Sequence, residues 1–94
     1  MHSPDTPTNK ISAAVTCPGP LTSYTHVLTS VDWLKVRTGP STGNTAVGQI
    51  AGGAAFYFSP SGVQSGGRYW VCGYGYNGST KLTGWVAGDY LLWP

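Results

Sequence analysis

Apolar and polar residues alternate along this chain over short stretches, and Gly, Pro, Ser and Thr cut the stretches apart. In Trp33-Leu34-Lys35-Val36-Arg37 the alternation puts Leu34 and Val36 on one face and Trp33, Lys35 and Arg37 on the other. Residues 54–59 repeat the pattern, with Phe56 and Phe58 inward and Tyr57 outward. Further strands are expected over 24–29, 46–50, 68–76 and 82–86, with a last short one over 91–93. Asn77-Gly78 is a hairpin signal between two of them. Residues 38–44 and 59–67 are read as loops, 51–53 as a turn, and 87–90 as a single tight turn of 3-10 type. Five or six short strands at roughly ten-residue spacing, with no helix, predict an all-β barrel or sandwich. Leu34, Val36, Val47, Ile50, Phe56, Phe58, Val86 and Leu91 are the expected core.

The alternation begins only after residue 20. Residues 1–20 carry Pro4, Pro7, Pro18 and Pro20 among Ser and Thr, which predicts an extended tail or linker ahead of a domain over 21–94. Residues 11–15 are the one part of the tail that could add an edge strand. Residues 1–10 have no apolar stretch of the signal-peptide kind, so the chain is expected to be a mature or excised piece. Cys17 would pin the tail to the domain if it bonded Cys72. The spacing of the two cysteines matches no metal motif, and His2 and His26 complete no tetrahedral set with them. One disulfide is the simplest reading; the alternative is two separate buried thiols in a cytosolic protein. Asn77-Gly78-Ser79 is an N-glycosylation acceptor triplet, which favours the disulfide and a secreted protein.

Composition narrows the class of partner. Among 94 residues there are five Lys+Arg, three Asp and no Glu, against twelve aromatic residues and fourteen Gly. A disordered chain would carry more charge and fewer rings, and a helical bundle would avoid this much Gly. No apolar run approaches the ~20 residues of a membrane-spanning helix. Of Lys10, Lys35, Arg37, Arg68 and Lys81 only Lys35 and Arg37 are close in sequence, and this dispersal argues against nucleic acid and against a polybasic membrane patch. No cofactor and no metal is expected. A neutral glycan or a Gly-rich peptide suits such a surface.

The rings are the candidate chemistry. Twelve exceed what a small barrel can enclose, and parity places Trp33, Tyr57 and Trp85 outward. Sugar rings and Gly-rich peptides lie flat on such faces, while phenol and indole groups bond their polar edges. Tyr24, Trp33, Tyr57, Tyr69, Tyr74, Tyr76, Trp85 and Tyr90 are therefore the expected ligand-binding set, in one shallow groove. Asp32 joins it as an acceptor for a ligand N–H or hydroxyl. Asp89 is expected to cap a turn, Arg37 to fold over loop carbonyls, and Trp93 to cover a barrel end. Nothing places Asp32 and Asp89 as an acid pair for glycoside hydrolysis. A Cys72–His26 nucleophile and base would require a free thiol.

The run LKVRTGPSTGNTAVGQIAGG, then AFYF, RYWV and TGWVAGDYL, resembles the bacterial-type SH3 domain, often called SH3b. Leu34, Val36, Arg37, Gly39 and Pro40 match the family's opening, and Val47, Gly48, Ile50 and Gly53 its second element. Trp70 matches the third, and Gly84, Trp85, Val86, Tyr90 and Leu91 the closure. The likeness spans about residues 24–93. After Trp70 the chain departs from it, because VCGYGYNGSTK is longer and richer in Gly than the family's usual hairpin. The resemblance implies an SH3-like β-barrel that is not an enzyme, binds peptidoglycan or a chitin-like glycan or wall peptide, and is fused to a wall hydrolase as a monomer. The cysteines, the acceptor triplet and the rings resemble secreted fungal versions associated with lysozymes. A domain of the eukaryotic SH3 kind, binding Pro-rich peptides, is the alternative, although loop 38–44 lacks the acids such domains use. A cysteine peptidase or small glycosidase is the third, disfavoured by size.

Overall fold

The computed structural model describes residues 15–93. Most of the tail, and residues 11–14 of its expected edge strand, lie outside the described residues; Val15 belongs to no strand. Seven strands follow: β1 (Ser23–His26), β2 (Trp33–Arg37), β3 (Ala46–Ala51), β4 (Ala55–Phe58), β5 (Val63–Ser65), β6 (Arg68–Asn77) and β7 (Thr80–Ala87). A 3-10 turn covers Gly88–Tyr90, where the tight turn was expected. The expected strand over 91–93 reduces to a single bridge between Leu91 and Val27.

All strands join one antiparallel sheet in the order β1-β4-β6-β7-β2-β3, with β5 paired to β6 off that path. The described sheet thus has seven strands rather than five or six, and its hydrogen-bond order is open, with β1 and β3 at its edges. The additional strand is β5, inside the stretch read as a loop. Gly66 and Gly67, both at positive φ (61° and 77°), link Ser65 to its partner Arg68. Positive φ at both central positions is the type I′ hairpin turn, which Gly-Gly adopts without steric cost. The β6–β7 turn sits one residue later than Asn77-Gly78 suggested. Asn77 is the last ladder residue, paired to Thr80, so the two-residue loop is Gly78-Ser79.

One face of the sheet folds around an apolar core of Val27, Leu34, Val36, Ile50, Phe56, Phe58, Val71, Leu82, Val86 and Leu91. Val47 packs against it half-buried. Seven of the eight expected core residues are therefore buried, because period-2 patterning reports the inner face directly. Sharp folding requires close backbone approach on that face. Gly73 and Gly84 are register partners in β6 and β7. A Cβ on Gly73 would lie 1.9 Å from the Tyr57 carbonyl oxygen, and one on Gly84 2.4 Å from that of Arg37.

A second, smaller cluster forms on the outer face. Trp70, Cys72, Trp85 and Ala87 are buried there beneath Val15 and Cys17. Cys17 and Cys72 form a disulfide, which fastens the end of the tail across β6 and β7. Arg37 behaves as expected: its Nη1 donates to the carbonyls of Thr42 (3.1 Å) and Asn44 (2.9 Å), holding loop 38–44 against β2. Arg37→Met, which keeps the stem and deletes both bonds, is expected to lower stability by about 1–2 kcal/mol. Urea unfolding checks the cost, and faster proteolytic nicking within 38–44 checks its location.

Candidate functional site

The outer face of β1, β4 and β6 carries a row of tyrosines. Tyr24 stands opposite Tyr57 and Tyr57 opposite Tyr74 in the strand register. Each is on the side away from the core, since Thr25, Phe56, Phe58, Gly73 and Gly75 take the inner positions. The ring centroids are 4.9 Å apart for Tyr24–Tyr57 and 5.0 Å for Tyr57–Tyr74, the latter stacked at 21°. Tyr76, two residues along β6, meets Tyr74 edge-on at 6.1 Å. Tyr24 and Tyr76 are exposed by 53% and 46%, whereas Tyr57 and Tyr74 are half-buried between them. Cross-strand pairing therefore turns four separate residues into one continuous strip.

A cation meets the strip at Tyr74. The Lys81 ammonium lies 4.3 Å from the Tyr74 ring centroid, a cation–π contact. At the Tyr24 end the Tyr24 hydroxyl and His26 Nε2 are hydrogen-bonded at 2.9 Å. Around the corner from Tyr24, Tyr69 and Trp93 line a shallow apolar hollow with Phe58 and Pro60. Tyr69 shares the inward parity of Val71 and packs against the core, with its hydroxyl turned to the Pro60 carbonyl (3.4 Å). Trp93 covers Phe58 edge-on and donates its indole N–H to the Gly88 carbonyl (2.8 Å), as expected of a ring over the end of the sheet.

Trp33 and Tyr90 belong elsewhere. They line a groove of about 530 Å³ with Lys35, Arg37, Arg68, Ser30 and Thr42, and Trp33 is half-exposed there. The strip and the groove share no residue, and β7 stands between β6 and β2 in the sheet. The single groove expected from the sequence is thus two faces. No family model, curated protein or solved structure matches this chain.

Several residues of the runs LKVR, RYWV and TGWV have a structural task. Leu34 and Val36 fill the core, Arg37 ties down its loop, and Gly84 admits the backbone of β2. Trp70 donates its indole N–H to the Ser65 carbonyl and supports β5.

Trp85 departs from its expected place in the binding set. Its parity is outward, as read, but it is only 9% exposed, because the disulfide-held segment at Val15 and Cys17 covers it. Among the described residues Asp89 makes no turn-capping bond; its carboxylate pairs with Arg68 Nε at 3.1 Å. Asp32 is exposed beside Trp33 but does not line the groove. Cys72 is a cystine, so it offers His26 no thiol. Asn77 is exposed at the hairpin, with its triplet reaching into the turn.

The sequence reading overlooked one grouping. Arg68 joins Lys35 and Arg37, which stand two residues apart on β2, around the groove. No sequence signal marks the approach of Arg68, since β6 is brought near β2 through β7. Among the described residues no group of His, Cys, Asp and Glu could hold a metal ion. No helix of the described residues is long and apolar enough to cross a membrane.

Proposed function

We propose that this domain is a non-catalytic wall-binding module of the SH3b kind, which holds a neutral polysaccharide or Gly-rich wall peptide and so tethers an attached wall hydrolase. The observation that carries this reading is the strip Tyr24–Tyr57–Tyr74–Tyr76, in which the first three rings are register partners 4.9 and 5.0 Å apart and Tyr76 extends the row edge-on at 6.1 Å. The stacked, tilted and edge-on rings make one continuous apolar strip for a polymer to lie along, and the phenol hydroxyls at its margin suit the polymer's hydroxyl and amide groups. The folded-over sheet is taken as a variant of the SH3-like barrel, with β5 added at one side. A disulfide over an outer-face cluster suits a secreted protein, and the Pro-rich tail suits a spacer to the enzyme it would serve. Binding at each face would be weak, and attachment to an insoluble polymer would raise the enzyme's local concentration there.

The whole chain, incubated with insoluble peptidoglycan and with chitin, is expected to be retained on at least one of them at high salt. Tyr24→Ala and Tyr76→Ala, both at exposed positions, are each expected to weaken retention by about tenfold, ~1.4 kcal/mol. Retention unaffected by both substitutions would defeat the assignment of the strip. Capture by P-x-x-P peptides in place of wall material would favour the adaptor reading, and turnover of labelled wall by this chain alone would make it an enzyme.

A further inference from the structure

Beyond the neutral strip, the groove beside Trp33 has a different chemistry. Three of the five cationic residues of the chain line it, and neither Asp32 nor Asp89 is among the lining side chains. The three cations are not equally committed. Arg37 spends Nη1 on the carbonyls of Thr42 and Asn44. Arg68 uses Nε on Asp89 and lies over the Tyr90 ring at 5.7 Å, which orients its guanidinium while leaving the Nη groups without a hydrogen bond among the described residues. Lys35 is exposed, with no ion pair among the described residues. Beside these charges stands the Trp33 indole, half of its surface open to solvent.

We infer that this groove is a second binding site, and that it takes a carboxylated sugar: a pyranose ring on the face of Trp33 with its carboxylate directed to Lys35 and Arg68. Charge complementarity selects an anion, and a carboxylate can accept from an ammonium and a guanidinium at once through its two oxygens. The exposed indole selects a ring rather than a bare anion, since an apolar pyranose face covers it while the hydroxyls reach Ser30 and Thr42. A groove of about 530 Å³ is of the size that encloses a small ligand. The Arg68–Asp89 pair serves as a positioning contact: it orients the Arg68 guanidinium beside the groove and offsets part of the positive charge there, while the net charge stays positive and favours an anion. The site shares no side chain with the tyrosine strip, so the domain would grip a polymer at two separate points.

Methyl β-glucuronide and methyl β-glucoside, which differ only in a carboxylate replacing a hydroxymethyl group, test this by NMR titration of the whole ¹⁵N-labelled chain. The glucuronide is expected to shift the Trp33 indole N–H and the Tyr90 and Arg68 signals, and to bind at least about tenfold tighter than the glucoside. Added salt should weaken it. Lys35→Gln, at an exposed position, should abolish most of that preference while leaving the glucoside and the retention on chitin unchanged. Conversely, Tyr24→Ala should leave the glucuronide titration unchanged, which separates failure here from failure of the strip. Equal binding of the two sugars, binding of neither, or shifts confined to Tyr24, Tyr57, Tyr74 and Tyr76 would overturn the assignment. Sodium acetate matching the glucuronide in affinity would show an anion site with no role for the ring, and would overturn it too.

Discussion

Removing the disulfide by Cys17→Ser with Cys72→Ala is expected to lower stability by about 4 kcal/mol, the chain-entropy value for so long a loop. For a domain of this size that corresponds to a fall in Tm of roughly 15–30 °C. The bridge closes 55 residues of sequence and holds Val15 and Cys17 over Trp70 and Trp85. Its loss therefore acts twice: the unfolded chain regains freedom, and two indoles lose their cover. Urea unfolding would give the stability. Tryptophan fluorescence of the folded variant should shift to the red, since Trp70 and Trp85 gain contact with water. A loss of stability under 1 kcal/mol with unchanged emission would mean that the segment stays in place without its covalent tie.

Gly73→Ala is expected to be more damaging than its single methyl group suggests. In an ordinary extended strand, Ala in place of Gly stabilises slightly, because the unfolded chain has less freedom to lose. At Gly73 the added Cβ would stand 1.9 Å from the Tyr57 carbonyl oxygen and 2.6 Å from Phe58 Cα. Both obstacles are backbone, so no rotamer change relieves them. Either β4 separates from β6 or the sheet unfolds, and the cost should exceed the ~1–3 kcal/mol of ordinary overpacking. The Tyr57–Tyr74 stack depends on the same pairing. A variant that remains folded should therefore also be retained less well on wall material. Circular dichroism, urea unfolding and the wall-retention assay measure these effects together, and a fully stable variant with unchanged retention would refute the close approach.

The two faces differ in how much of them could be read from the chain. Outward parity for Trp33 and Tyr57 follows from two-residue alternation beside Leu34, Val36, Phe56 and Phe58, and both hold those orientations. The same rule gave Trp85 its side of the sheet but could not say that something lay on top of it. Exposure is a property of what packs above a face, and the segment above this one comes from Val15 and Cys17, more than fifty residues away in sequence. Gly66-Gly67 was legible as a hairpin turn; it was overlooked because the flanking strand is three residues long and mostly polar.

By itself the sequence determined that this is an all-β domain, that a small set of alternating apolar residues forms its core, and that rings outnumber what the core can hold. These are local properties: side-chain parity, turn chemistry and composition act within a few residues of chain. Only the tertiary structure decided which rings meet. Strand order set β1, β4 and β6 side by side, so that Tyr24, Tyr57 and Tyr74 became neighbours, and it gathered Arg68 with Lys35 and Arg37 across β7. Such meetings depend on the order and register in which distant segments pair, and the fold satisfies them together, as an open sheet folded around its apolar core.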